Sequence, residues 1–584
     1  MRRKVGALSA GLLVLALAAT GCTKTTDSGG PGTEAQKQQG AVSYDAADNT
    51  GPAKAVDGAS SGGIITILQS AEFDHLDPQK SYVTNQQMLG LELYRALTAW
   101  KETGSGPMKL VGDLAVDPGT DVNKDCKTWQ YKLRPGLKYE DGSAIKAADV
   151  AYGVARSFDA DFGDGPTYIQ SWLAGSAEYN ATFKGPYAAT GGGDVPPGVK
   201  VVDDSTITFT FPVAHCDFPF AASLPTTVPV PKAKDTKAAY DLIPFSSGPY
   251  KIKEHKSGET LVLERNPNWD PKSDPIRNAY PDGYKFEFGA DQTQITQRLV
   301  ADSTADQTAL TWGDCTADLA AKCTAADVKA RSVSGPTQFT WVLNINMQKQ
   351  TDIDVRKALN LALDKKGVLQ ALGGDLAGSV ATTLMSPTTS GYKAYDAFAG
   401  TPSSGDPDKA KTLLAGKTPK IVYAVRTGST TYEKVGAVVK ESLEKAGFQV
   451  VLSPVDRAKY YSSLGDKANP YDLYLTGWGS DWPTGSTIIP PLYDGRTIKD
   501  KGNQNYSYVN DSTINSEIDR IGKLPAADQD AQWMALDKKI METVVPVVPV
   551  WYDATYELHG SKIAGTFLSS AYGLLDLNTI YVKK

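Results

Sequence analysis

Histidine is scarce in this chain: four in 584 residues, His75, His215, His255 and His559. They show neither an H-E-x-x-H pattern nor metal-ligand spacing, so a histidine-built metal or catalytic centre has no support. Walker and dinucleotide-binding glycine patterns are missing as well. A formal G-x-S-x-G at residues 58–62 lacks the strand–turn–helix context that a nucleophile elbow requires, and is discarded. Charge of one sign is also lacking. A net charge of −6, with 22% charged residues, excludes the electrostatic footprint of nucleic-acid binding. After residue 21 no apolar run approaches the ~20 residues of a membrane-spanning helix. No short-period repeat suggests a solenoid or propeller. Only a carboxylate-only hydrolase escapes exclusion by spacing, because 66 Asp and Glu place acid pairs everywhere. The length suits two or three domains with a large core.

The N-terminus is richer in information. Arg2, Arg3 and Lys4 precede the apolar run 5–19 and then "ATGC". The run is short and ends at small residues, the pattern of a signal peptide rather than a membrane span. Gly21-Cys22 resembles a lipobox, which implies cleavage before Cys22 and lipid attachment to it. Ala19 stands where that motif usually carries leucine. Residues 23–61 are rich in Gly, Ser, Thr, Asp and Ala, so they are expected to form a flexible tether. Its 39 residues would span about 34 Å as a random coil.

Cys126, Cys216, Cys315 and Cys323 remain in the body. In an exported protein they permit two bridges in three pairings. Cys315–Cys323 as a local clip and Cys126–Cys216 within one subdomain are the favoured pairs, with buried free thiols as the alternative.

Periodicity places a strand at 63–70 and a helix bearing Met88, Leu91, Tyr94 and Leu97. Two short strands flank Pro135-Gly136, and a helix follows with Val150, Val154 and Phe158 on one face. "STITFT" alternates Ile207 and Phe209 against threonines, the pattern of a half-buried strand. From 336 onward come a strand, a helix with Val355, Leu359 and Leu363, and a β-α-β unit from 420 to 452, whose parallel strands need a right-handed crossover. The strand 471–478 ends at "GWGSDWPTGS" (477–486). Ligands in open α/β sheets bind outside the carboxyl ends of strands, which puts Asp481 at a binding edge. The aromatics, 28 Tyr and 10 Trp against 15 Phe, suit a wet recognition cleft. The competing reading is a tight turn capped by Asp481, with both tryptophans in the core.

Three blocks resemble the large extracytoplasmic solute-binding proteins of ABC importers, the peptide and nickel-binding family. They are "LRPGLKYEDGSAIKAADVAYGVARS" (133–157), "SSGPYKIKEHKSGETLVLERNPNWD" (246–270) and "VRKALNLALDKKGVL" (355–369). They fall in the family's order, and the resemblance covers 62–584. It implies an α/β fold: a two-lobed clamp with two hinge strands, of the large class with an extra subdomain. Lobe one is expected to hold 62–336 and 553–584, the extra subdomain about 106–230, and lobe two 337–552. Rigid-body closure would enclose the ligand.

In peptide-binding members a G-W-x-x-D segment supplies an aspartate that pairs with the ligand's α-ammonium. Gly477, Trp478 and Asp481 match it, which implies Asp481 as anchor, with Trp478 and Trp482 as walls and Ser480 beside them. Tyr82 and Trp341 are further ligand-contact candidates. Ser246 replaces the glycine that begins the family's G-x-G-P-Y motif. Ser480 and Trp482-Pro483 depart from its usual A-D-(Y/N) context, which leaves ligand identity open. The resemblance implies a monomeric, lipid-anchored extracytoplasmic protein without cofactor or metal, passing oligopeptides to a permease. The alternative is a chito- or cello-oligosaccharide binder on the same scaffold.

Overall fold

The computed structural model describes residues 41–102, 104 and 108–584. The signal segment and Cys22 lie outside the described residues. Three sheets organise the body. In lobe one, Ile64–Leu68 runs parallel to Gly283–Glu287 on one side and Ala309–Thr311 on the other. Thr260–Arg265 and Tyr250–Lys256 extend this sheet antiparallel. Ile65 and Ile67 have no exposed surface and pack with Leu261, Leu263 and Phe286.

The extra subdomain is an antiparallel sheet in the order Thr120–Asp121, Thr128–Lys132, Thr206–Thr210, Val199–Asp203. Ile207 and Phe209 point inward, as the alternation predicts, against Val150 and Val154 of helix Ala147–Arg156. Cys126 is bonded to Cys216 here, and Cys315 to Cys323 in lobe one.

Lobe two carries a six-stranded sheet in the order Gly378–Val380, Val547–Leu558, Ser332–Ile345, Leu473–Gly479, Lys420–Arg426, Gln449–Val455. Lys420–Arg426 and Gln449–Val455 are parallel and joined by helix Thr430–Lys445, the expected β-α-β unit. Ser332–Ile345 and Val547–Leu558 run antiparallel between the lobes. Their register breaks between Pro336 and Thr340. Such a bulge bends a ladder and re-aims side chains. Beyond it, His559 bridges to Leu310 in the lobe-one sheet.

Three local expectations change. The first helix ends at Leu93 because Tyr94 turns extended and donates its hydroxyl to the Leu76 carbonyl. After Pro135-Gly136 only a single bridge, Lys138 to Ala144, replaces the second strand. Residues 41–61, read as tether, lie against lobe one. Val42 pairs with Leu110, the buried Asn49 side chain accepts from the Gly112 amide, and Asp48 pairs with Lys109 at 2.6 Å. Polar side chains hold this arm, which is why hydrophobicity alone does not reveal it. Ser246, in place of glycine, is fully buried and donates its hydroxyl to the Leu93 and Tyr250 carbonyls, closing the turn.

Candidate functional site

The strand Leu473–Gly479 carries its carboxyl end into the space between the lobes. Its glycines are dictated by the neighbouring crossing strand. A Cβ on Gly477 would sit 2.6 Å from the Trp341 ring, and one on Gly479 2.8 Å from the Phe339 ring. Trp478 donates its indole N–H to the Thr487 carbonyl at 2.8 Å, pinning the loop that follows.

A cavity of about 270 Å³ opens here. Tyr82, Gln87 and Trp100 line it from lobe one, Phe339 from the crossing strand, and Trp478, Ser480 and Asp481 from lobe two. The Asp481 carboxylate accepts a hydrogen bond from the Tyr168 hydroxyl at 2.5 Å, and the Tyr82 hydroxyl lies beside it. Both tyrosines come from the lobe-one side. Among the described residues no lysine, arginine or histidine forms an ion pair with Asp481. Burial pushes its carboxyl up to about 6, and the two hydroxyls partly oppose that rise. An ionised carboxylate taken from water without a cation is costly. The geometry therefore suits a cationic group entering the cavity.

The structure brings Asp481, Trp478, Ser480 and Tyr82 together and leaves two candidates out. Trp482 is 2% exposed and does not line the cavity. Its ring packs 4.8 Å from Tyr168, with Trp172 and Phe220 beyond, in the core of the extra subdomain. Burial of so large an apolar ring overrides its adjacency to Asp481 in sequence. Trp341 stacks on Trp551 at 4.9 Å and 6° and faces a separate small pocket.

That pocket holds a residue the motifs do not point to, Arg426. It ends the strand parallel to Leu473–Gly479. Its guanidinium lies 5.4 Å from the Tyr432 ring and 5.8 Å from the Tyr461 ring. Its Nε is buried without a hydrogen-bond partner, and among the described residues it forms no ion pair. The available signal was a single arginine closing the apolar run "KIVYAVR" at the same sheet edge as Asp481.

Comparison with known proteins gives a consistent result. The family described as bacterial extracellular solute-binding proteins, family 5, matches residues 109–500. The periplasmic oligopeptide-binding protein OppA of Salmonella typhimurium is 24% identical, covering 88% of this chain and 90% of its own. The dipeptide-binding protein of Lactococcus lactis is 23% identical, covering 80% and 86%. Among solved structures, clavulanic acid biosynthesis oligopeptide binding protein 2 superposes with a TM-score of 0.82 at 29% identity, over 92% of this chain and 100% of that one. No helix among the described residues is long and apolar enough to cross a membrane.

Proposed function

Because this chain belongs to the bacterial extracellular solute-binding proteins, family 5, we propose that it captures oligopeptides outside the cell membrane and delivers them to an ABC importer's permease. The observation that carries this reading is Asp481, a cavity-lining carboxylate that accepts from the Tyr168 hydroxyl and has, among the described residues, no cationic partner. A peptide's α-ammonium supplies the missing charge. Trp478, Ser480 and Tyr82 line the same cavity and contact the ligand. Arg426 offers the opposite charge at the same edge of the lobe-two sheet and takes the ligand's carboxylate. An extended peptide between them binds largely through main-chain hydrogen bonds, which tolerate many side chains. The two relatives named as oligopeptide- and dipeptide-binding proteins support this ligand class.

The chain acts as a monomer without cofactor, held at the membrane by lipid on Cys22 after cleavage at residue 21. The docked arm begins at residue 41, and residues 23–40 lie outside the described residues. The oligosaccharide reading has less to stand on, because the relatives named above are oligopeptide- and dipeptide-binding proteins.

The test is a thermal-shift comparison of free tri- to hexapeptides, the same pool N-acetylated, and chito- and cello-oligosaccharides. A ligand at a hundred times its Kd adds about 2.7 kcal/mol, enough to raise Tm by a few degrees. Free peptides are expected to stabilise and acetylated ones not to. Stabilisation by sugars alone refutes the reading.

A further inference from the structure

Asp481 and Trp482 are adjacent in sequence and make opposite demands on one interface. Trp482 belongs to the lobe-two loop but seats in the aromatic nest of Tyr168, Trp172 and Phe220 on the subdomain. A second clasp on the same loop reinforces it. Ser486 accepts the Trp482 indole N–H at 3.1 Å and lines the same cavity as Asp217 of the subdomain. Seating this ring removes a large apolar surface from water and draws the lobes together. The same movement carries Asp481 between Tyr82 and Tyr168. There it accepts from the Tyr168 hydroxyl but loses hydration, with no cation among the described residues to replace it.

We propose that this pair gates closure. Trp482 drives the loop 480–486 into the subdomain, and the ionised, unpaired Asp481 opposes its seating until a cationic ligand group arrives. Trp482 is thereby a positioning residue: the ammonium site is assembled only when its ring is seated, since Tyr82 and Tyr168 approach Asp481 from the other side of the cleft. Identification of the cation as a peptide ammonium rests on the function proposed above. The gate itself needs only the unpaired carboxylate and the seated indole.

Small-angle scattering on the full chain at neutral pH tests this without any ligand. The wild type is expected to be expanded when empty and compact with a pool of free tri- to pentapeptides. Asp481→Asn, which removes the charge and keeps the shape, is expected to be compact when empty. Trp482→Ala is expected to stay expanded even with peptide, and Trp482→Phe to restore compaction with dissociation about tenfold faster than wild type, since such changes fall mainly on the off-rate. An Asp481→Asn protein as expanded as empty wild type overturns the gate, as does an empty wild type that is already compact. If Asp481→Asn compacts while no peptide compacts the wild type, the gate stands and the peptide reading fails. Should Trp482→Ala not fold, the Trp482→Phe rates and the Asp481→Asn arm still decide.

Discussion

Two sets of buried or half-buried charge in this molecule differ in one respect. Beneath the lobe-one sheet, Arg95 and Arg277 meet Asp113 at 2.6 and 2.9 Å, and Arg277 also meets Asp274 at 3.0 Å. All four side chains are at most 1% exposed. Burial alone would raise Asp274, yet the guanidiniums of Arg277 and Arg95 hold it down at about 2. At the cleft, Asp481 and Arg426 are less deeply buried, and neither has a charged partner among the described residues. Burial therefore does not mark the charges of the cleft; lack of an ion-pair partner together with a place on a cavity does. A paired network shapes the scaffold, whereas charges of both signs without an ion-pair partner among the described residues lie at one edge of the lobe-two sheet.

The strongest way to break the comparison is to orphan a member of the paired set. Arg277→Met leaves Asp113 and Asp274 short of a cation in a dry interior. Breaking a buried pair this way costs about 3–5 kcal/mol. Urea unfolding should show that loss as a lower midpoint, and a loss below 1 kcal/mol would put the network on a par with surface ion pairs. Asp481→Asn is expected to do the reverse. Removing an unpaired charge leaves stability equal or higher, while peptide affinity falls roughly ten- to a hundredfold through a lost ionic hydrogen bond worth ~1.5–3 kcal/mol. Titration calorimetry reads this directly, and unchanged affinity would remove Asp481 from the site. Arg426→Gln is a smaller perturbation, because the aromatic rings remain. It should weaken free-acid peptides about tenfold and leave C-terminally amidated ones unchanged. Equal losses for both would mean that Arg426 supports the pocket without touching the carboxylate.

What the sequence disclosed follows from the range of the forces involved. The β-α-β unit and the strand ending at Gly479 are legible because local periodicity and tertiary burial demand the same residues there. Asp481 is legible through the G-W-x-x-D motif and its place at a strand's carboxyl end. Trp482 misleads because adjacency in sequence says nothing about which side of an interface receives a ring, and its receptacle lies some 260–310 residues earlier in the chain. Arg426 was hidden because a lone arginine at a strand end usually finds a partner. Its having none is a fact of three-dimensional packing. The arm 41–61 was hidden for a related reason: its anchors are hydrogen bonds accepted by Asn49 and Asp48, which composition reads as solvated polarity.

The smallest expected effect sharpens the comparison through pH. Asp274 sits below its ordinary value, so its contribution to stability is present above about pH 4 and fades as pH falls toward 2. Asp481 has the opposite sign. Its carboxyl is raised from 3.8 to about 6, so the seated, folded form binds the proton more tightly than an exposed carboxyl does. Ionised Asp481 therefore costs stability above about pH 6, and that cost disappears as pH falls from 6 toward 4. Asp217 is also raised to about 6 by burial, and the half-buried His215 is lowered to about 4. A bare pH profile of the wild type mixes these with other carboxyls that burial raises to about 6, such as Asp530 and Asp537. The difference in Tm between wild type and Asp481→Asn isolates one carboxylate. It is expected to be largest at neutral pH, with the variant more stable, and to close as the pH approaches 4. A difference that is flat across this range would mean that the charge on Asp481 does not oppose the seated form, and would erase its contrast with the paired network.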